Sequence, residues 1–134
     1  MIFMDGNSIK NILLIDSNDI DSFINCKVLK NSGYLNITIF RQAESALSHL
    51  AETDIIYQLI LTDNYLPVMD GFEFVEKFQR SDFSEKQGKV CFLYSYMSPG
   101  QKEKAVSRNI KMVSKPLNEE KILELQYWVL TTDK

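Results

Sequence analysis

Cysteine, histidine and long apolar runs are all scarce in this chain, and each scarcity excludes something. Two of the 134 residues are cysteines, Cys26 and Cys91, and one is a histidine, His49. The cysteines lack metal-ligand spacing and read as reduced core thiols of a cytoplasmic protein. His49 lies in a polar neighbourhood of a helical pattern and is expected at the surface. Lys and Arg number 15 against 18 Asp and Glu, a net charge of −3. With no basic stripe and no aromatic stacking platform, nucleic acid is not an expected partner. No apolar run reaches membrane-spanning length, and the opening Met1-Ile2-Phe3-Met4 is cut off by Asp5, so neither a membrane segment nor a signal peptide is expected. There is no internal repeat. What is present is an ordinary globular composition, 45% hydrophobic and 25% charged, in one domain able to bury about two-thirds of its unfolded surface.

The apolar runs that do exist end in chemistry. Leu59-Ile60-Leu61-Thr62 delivers Asp63 to a loop punctuated by Pro67 and Gly71, and Ile12-Leu13-Leu14-Ile15 delivers Asp16 in the same way. Wholly apolar runs mark buried parallel strands, whose carboxyl edges carry ligand sites in open α/β sheets. If the two strands are adjacent, the two carboxylates converge and repel, a situation that Mg²⁺ relieves with its preference for oxygen ligands and retained water. For Asp16 alone, capping the next helix is an equally good reading. A third short strand, Met112-Val113-Ser114, ends in Lys115-Pro116, and a lysine held by a rigid turn near two acids can serve as counterion to a phosphoryl group. A fourth run, Val90-Cys91-Phe92-Leu93-Tyr94, brings the Ser95 hydroxyl toward the same edge.

Between these strands the spacing turns helical. Ile20, Phe23, Ile24, Lys27 and Val28 predict a helix capped by Ser17, Asn18 or Asp19 and closed at Gly33. Ile37 and Ile39 sit in a short strand, followed by a helix over Ala43, Ala46, Leu47 and Leu50. Asp70 and Glu73 resemble a capping box ahead of Phe72, Val75 and Phe78. Residues 81–88 form a connection. A helix over about 101–108 has only Ala105 and Val106 for an inner face and is expected to pack least firmly. Asn118 caps a last helix in which Ile122, Leu123, Leu125, Tyr127, Trp128, Val129 and Leu130 are too many for one face. Five strands alternating with five helices predict a doubly wound parallel α/β sheet.

The order Asp16, Asp63, Ser95, Lys115, with Asp63-Asn64-Tyr65-Leu66-Pro67-Val68-Met69-Asp70-Gly71 and Ser114-Lys115-Pro116-Leu117, resembles the receiver domain of two-component response regulators, a flavodoxin-like fold. The resemblance runs from about residue 9 to 130 and implies a single receiver over 1–134 with no output domain. It implies that Asp63 accepts a phosphoryl group from a histidine kinase or phosphotransfer protein. Mg²⁺ would be held by Asp16, Asp63 and the backbone carbonyl of Tyr65, while Ser95 and Lys115 bind phosphoryl oxygens. It also implies signalling through the fourth helix, fifth strand and fifth helix to a protein partner, leaves a homodimer open, and makes Lys115-Pro116 a cis peptide.

Several positions depart from the pattern. Ser17 stands where the family has a second metal-binding acid, so Mg²⁺ binding is expected to be weak. Tyr96 replaces a small residue and either screens Asp63 or swings outward. Tyr65 and Met97 occupy positions that tune the attacking water and offer bulk there. Met112 replaces the aromatic partner of the Ser95 switch. Two further readings therefore stand beside the phosphorylated receiver. One is a pseudo-receiver that binds partners without efficient phosphorylation, which exposure of Tyr127 or Trp128 would favour. The other is a Mg²⁺-dependent aspartyl phosphatase, disfavoured because Tyr65 stands where such enzymes carry a second acid.

Overall fold

The computed structural model describes residues 8–131; the opening Met1-Ile2-Phe3-Met4-Asp5 lies outside them. In chain order the elements are β1 (Asn11–Ile15), α1 (Asp19–Asn31), β2 (Asn36–Phe40), α2 (Ala43–Glu52), β3 (Leu59–Thr62), α3 (Gly71–Arg80), a single 3-10 turn (Ser84–Lys86), β4 (Lys89–Tyr94), α4 (Pro99–Ser107), β5 (Lys111–Ser114) and α5 (Glu119–Thr131). The five strands form one parallel sheet in the order β2-β1-β3-β4-β5. The order reverses between β1 and β3, which opens a crevice at their carboxyl ends. The α/β architecture read from the alternation of patterns is the one observed.

The central strands β1, β3 and β4 are buried on both faces because each contributes alternately to two cores, whereas the edge strands β2 and β5 are only partly covered. Leu13, Ile15, Ile60 and Phe92 pack with α2, α3 and α4, through Ala46, Leu50, Phe74, Phe78 and Ala105. Ile12, Leu14, Leu61 and Leu93 pack with α1 and α5, through Leu29, Ile122 and Leu125. Cys91 belongs to this second core, where burial pushes its thiol pKa up; Cys26 is half-buried, and both are free thiols.

Four details differ from the sequence reading. The face of α1 that turns inward is Ser22, Asn25 and Leu29, whereas Ile20, Phe23 and Ile24 are 72, 68 and 42% exposed. His49 is half-buried rather than superficial, because its Nε2 lies 2.7 Å from the hydroxyl of buried Tyr57 and its ring packs against Phe40. α4 begins at Pro99, two residues earlier than expected, on a capping box formed by Ser98 and Gln101. It buries Ala105 while Val106 faces outward, as suits the least apolar helix. In α5 the surplus of apolar residues is exposed as expected, at Leu123 and Tyr127, and Trp128 is half-buried.

Candidate functional site

The strand register places Asp16 and Asp63 side by side. Ile15 pairs with Thr62, the Asp63 N–H donates to the Ile15 carbonyl at 3.0 Å, and the Asp16 N–H donates to the Phe40 carbonyl at 3.0 Å. Gly71 permits the loop after β3 to fold back, since a Cβ there would lie 2.3 Å from the Asp63 carbonyl oxygen. Asp70 then caps α3 through the Glu73 N–H at 2.9 Å; the Glu73 side chain turns to Lys77 instead. The Tyr65 N–H donates to Asp63 Oδ1 at 3.1 Å.

Lys115 reaches back across the edge from the end of β5, and its bond to Pro116 is cis, as expected. Its ammonium lies 2.6 Å from Asp16 Oδ2, 2.7 Å from Asp63 Oδ2 and 3.0 Å from Asp21 Oδ2. The Asp16 side chain is 1% exposed. Burial raises the Asp16 pKa despite the lysine and the Asn18 N–H that donates to its Oδ1. For Lys115, burial pulls the pKa down, but the contacts with Asp16 and Asp63 outweigh it and the ammonium holds its proton more tightly than usual. Asp21 is the functional neighbour that the sequence reading missed. The cue was local: Asn18 caps α1 by accepting from the Ile20 and Asp21 N–H groups, which sets Asp21 in the first turn, over the strand edge.

A pocket opens onto this cluster, lined by Ser17, Asn18, Asp21, Asp63, Asn64, Tyr65, Ser95, Tyr96 and Gln101. Ser95 stands exposed at its rim. Tyr65 and Tyr96 are 76 and 71% exposed, so both rings stand at the mouth and not in the interior. Met97 does not line the pocket: it is 2% exposed and packs in the core with Phe72 and Phe92, where its thioether finds carbon. The water-control role expected of it therefore has no geometric basis. Met112 and Tyr94 are half-buried against the same core.

The donor set suits a divalent cation. Three carboxylates against one ammonium leave an excess of two negative charges. Asp16 Oδ2 has only the Lys115 ammonium beside it, and Asn64, which lines the pocket, has a buried Oδ1 with no hydrogen-bond partner. Among the described residues no three Asp, Glu, His or Cys side chains converge on one ion position. A cation would thus rest on two carboxylates, backbone carbonyl oxygen and water, which is how Mg²⁺ is commonly held.

Comparison with known proteins agrees with this geometry. The family model described as response regulator receiver domain matches residues 12–126. The response regulator receiver protein CpdR of Brucella abortus (strain 2308) is 32% identical over 111 residues, 81% of this chain and 87% of that protein. A two-component response regulator from Cytophaga hutchinsonii superposes with a TM-score of 0.83 at 26% identity, covering 93% of this chain and 99% of its own. A response regulator receiver protein from Dyadobacter fermentans gives 0.77 at 25% identity, covering 92% and 99%. With strand order, edge carboxylates and family model in agreement, this chain belongs to the response regulator receiver domain family.

Proposed function

We propose that Asp63 is the phosphoacceptor of this receiver and that the domain signals by a change of surface after accepting a phosphoryl group from a histidine kinase or phosphotransfer protein. The observation that carries this reading is Asp63 itself, held at the sheet's carboxyl edge with Oδ2 on Lys115 at 2.7 Å and a pocket open to solvent in front of it. An Asp63 oxygen forms the new O–P bond as the N–P bond of the donor's phosphohistidine breaks, and the imidazole leaves to be reprotonated. Mg²⁺ held by Asp16, Asp63 and the Tyr65 carbonyl would supply charge neutralisation at the transferring oxygens. Lys115 and Ser95 are the groups suited to bind phosphoryl oxygens. Ile20, Phe23 and Ile24, exposed on the helix whose first turn borders the pocket, offer an apolar face for the donor protein. A downstream partner is expected on α4, β5 and α5, where Val106, Leu123 and Tyr127 are exposed.

Exposed Tyr127 favours a second reading, a pseudo-receiver that docks partners without efficient phosphorylation. Intact-mass measurement after incubation with Mg²⁺ and acetyl phosphate separates the two. One phosphoryl adduct, absent in Asp63→Asn, is expected; a folded protein that gains no mass under those conditions or with a phosphohistidine donor is a pseudo-receiver. An aspartyl phosphatase remains the poorest fit, since Tyr65 offers no second acid.

A further inference from the structure

Asp21 is the third of the three carboxylates on the Lys115 ammonium, and it comes from a helix and not from a strand end. We propose that Asp21 is a positioning residue for Lys115, the carboxylate on which the ammonium rests when Asp16 and Asp63 are taken up by a divalent cation, and that it thereby supplies the acidic share that Ser17 lacks. The inference rests on the reading of Asp63 given above.

Burial separates the three acids by task. Asp16 is 1% exposed and Asp63 13%, at the floor of the crevice; Asp21 is 31% exposed, at its mouth. The lysine side chain is 6% exposed. If a cation claimed the two floor carboxylates, an ammonium with no other partner would be left buried and unpaired, a loss of several kcal/mol in general. Asp21 removes that obstacle because it already lies at 3.0 Å.

The helix holds it there. Asn18 Oδ1 accepts from the Asp21 N–H at 3.0 Å, and Asn25, one turn on, donates from Nδ2 to the Asp21 carbonyl at 2.9 Å. The same Asn25 accepts at Oδ1 from the Leu117 N–H at 2.8 Å. Asn25 is 1% exposed. The inner face of α1 therefore clamps both the acid and the turn that carries Lys115, which fixes the one against the other. Ser17 opens into the same pocket without charge, and its missing carboxylate is made good from α1's first turn.

Calorimetric titration with MgCl₂ tests this, with thermal melts as a check on folding. Asp21→Asn should weaken Mg²⁺ binding on the order of tenfold, within the coupling expected inside one ion-pair network. Adding Ser17→Asp to that variant should restore it to within about threefold, under 0.7 kcal/mol by the conversion of affinity to free energy. In a Lys115→Met background Asp21→Asn should have little effect, because no ammonium remains to be held. An equal effect in both backgrounds shows that Asp21 acts by charge alone and overturns the positioning role; no effect in the wild-type background overturns it outright. NMR of the Lys115 Nζ protons, which needs no change at Lys115, gives a second measure. With saturating Mg²⁺ they should stay protected from exchange in the wild type and be lost in Asp21→Asn, and the same behaviour in both proteins overturns the proposal. A wild type that binds no Mg²⁺ removes the cation from the proposed function as well, whereas an unaffected Asp21→Asn removes this inference alone.

Discussion

The two edges of the sheet are held together by opposite means. At the amino edge, the neutral amides of Gln58 and Gln87 span the loops. Gln58 Oε1 accepts from the Lys10 and Asn11 N–H groups, both at 2.8 Å. Buried Gln87 accepts from the Tyr57 N–H at 2.8 Å and donates to the Ile55 carbonyl at 3.0 Å. At the carboxyl edge, three carboxylates share one ammonium. The two amides stabilise because each is paired without adding charge, and the ammonium groups at the same edge are each answered separately, Lys89 by the Trp128 and Val129 carbonyls and Lys111 by Glu124. The carboxyl edge stores an imbalance, the signature of an edge kept for chemistry rather than for stability.

The contrast can be broken most severely at Lys115. Lys115→Met leaves buried carboxylates facing one another with no cation and should cost about 3–5 kcal/mol, read from urea melts at pH 7. The lysine pKa is raised in the fold, because Asp16 and Asp63 outweigh burial, so its stabilisation is complete below the ordinary lysine value and is lost as pH climbs through the higher folded one. From pH 7 up to about pH 10.4 the gap between wild type and variant should accordingly stay constant, and above that it should narrow. A gap that narrows from pH 8 would mean that the ammonium is not held as described.

Gln87→Leu attacks the other edge. It strips a buried N–H and a carbonyl of their partner and should cost about 1–3 kcal/mol, while the phosphoryl adduct on Asp63 still forms. Loss of less than about 0.5 kcal/mol, the scale of an ordinary surface change, would show that the amide bridge is dispensable.

The smallest effect has the opposite sign. Asp63→Asn relieves the excess charge and should raise stability by about 1 kcal/mol, the usual gain when a functional residue is removed from a strained site. A lower melting temperature in that variant would show that the acids at this edge are individually stabilising and would erase the contrast between the two edges.

Much of the edge chemistry was legible because it is local. Apolar runs ending at Asp16 and Asp63, and the Lys115-Pro116 turn, are contiguous signals, and the parallel sheet follows from alternation. Long-range partnership was not legible. Ile20, Phe23 and Ile24 have helical spacing and yet face solvent, because the inner face of α1 is committed to Asn25, whose partner Leu117 lies 92 residues away. His49 was misplaced for the same reason: its partners, Tyr57 and Phe40, come from a loop and a strand that meet only once α2 has packed. The direction of Met97 was not legible either, because a family position gives no side-chain direction, and packing turned it into the core.

The number and order of strands and helices, and the gathering of acids, a hydroxyl and a lysine at one edge, are written in local patterns, since strand periodicity and turn chemistry act over a few residues. Packing of the folded chain is what brings Asp21 to Lys115 beside Asp16 and Asp63, turns a polar face of α1 inward, and selects which bulky side chains reach the pocket. Those outcomes depend on the rotation of each helix about its axis, which is set by partners distant in the chain and by the cost of leaving a buried polar group unanswered.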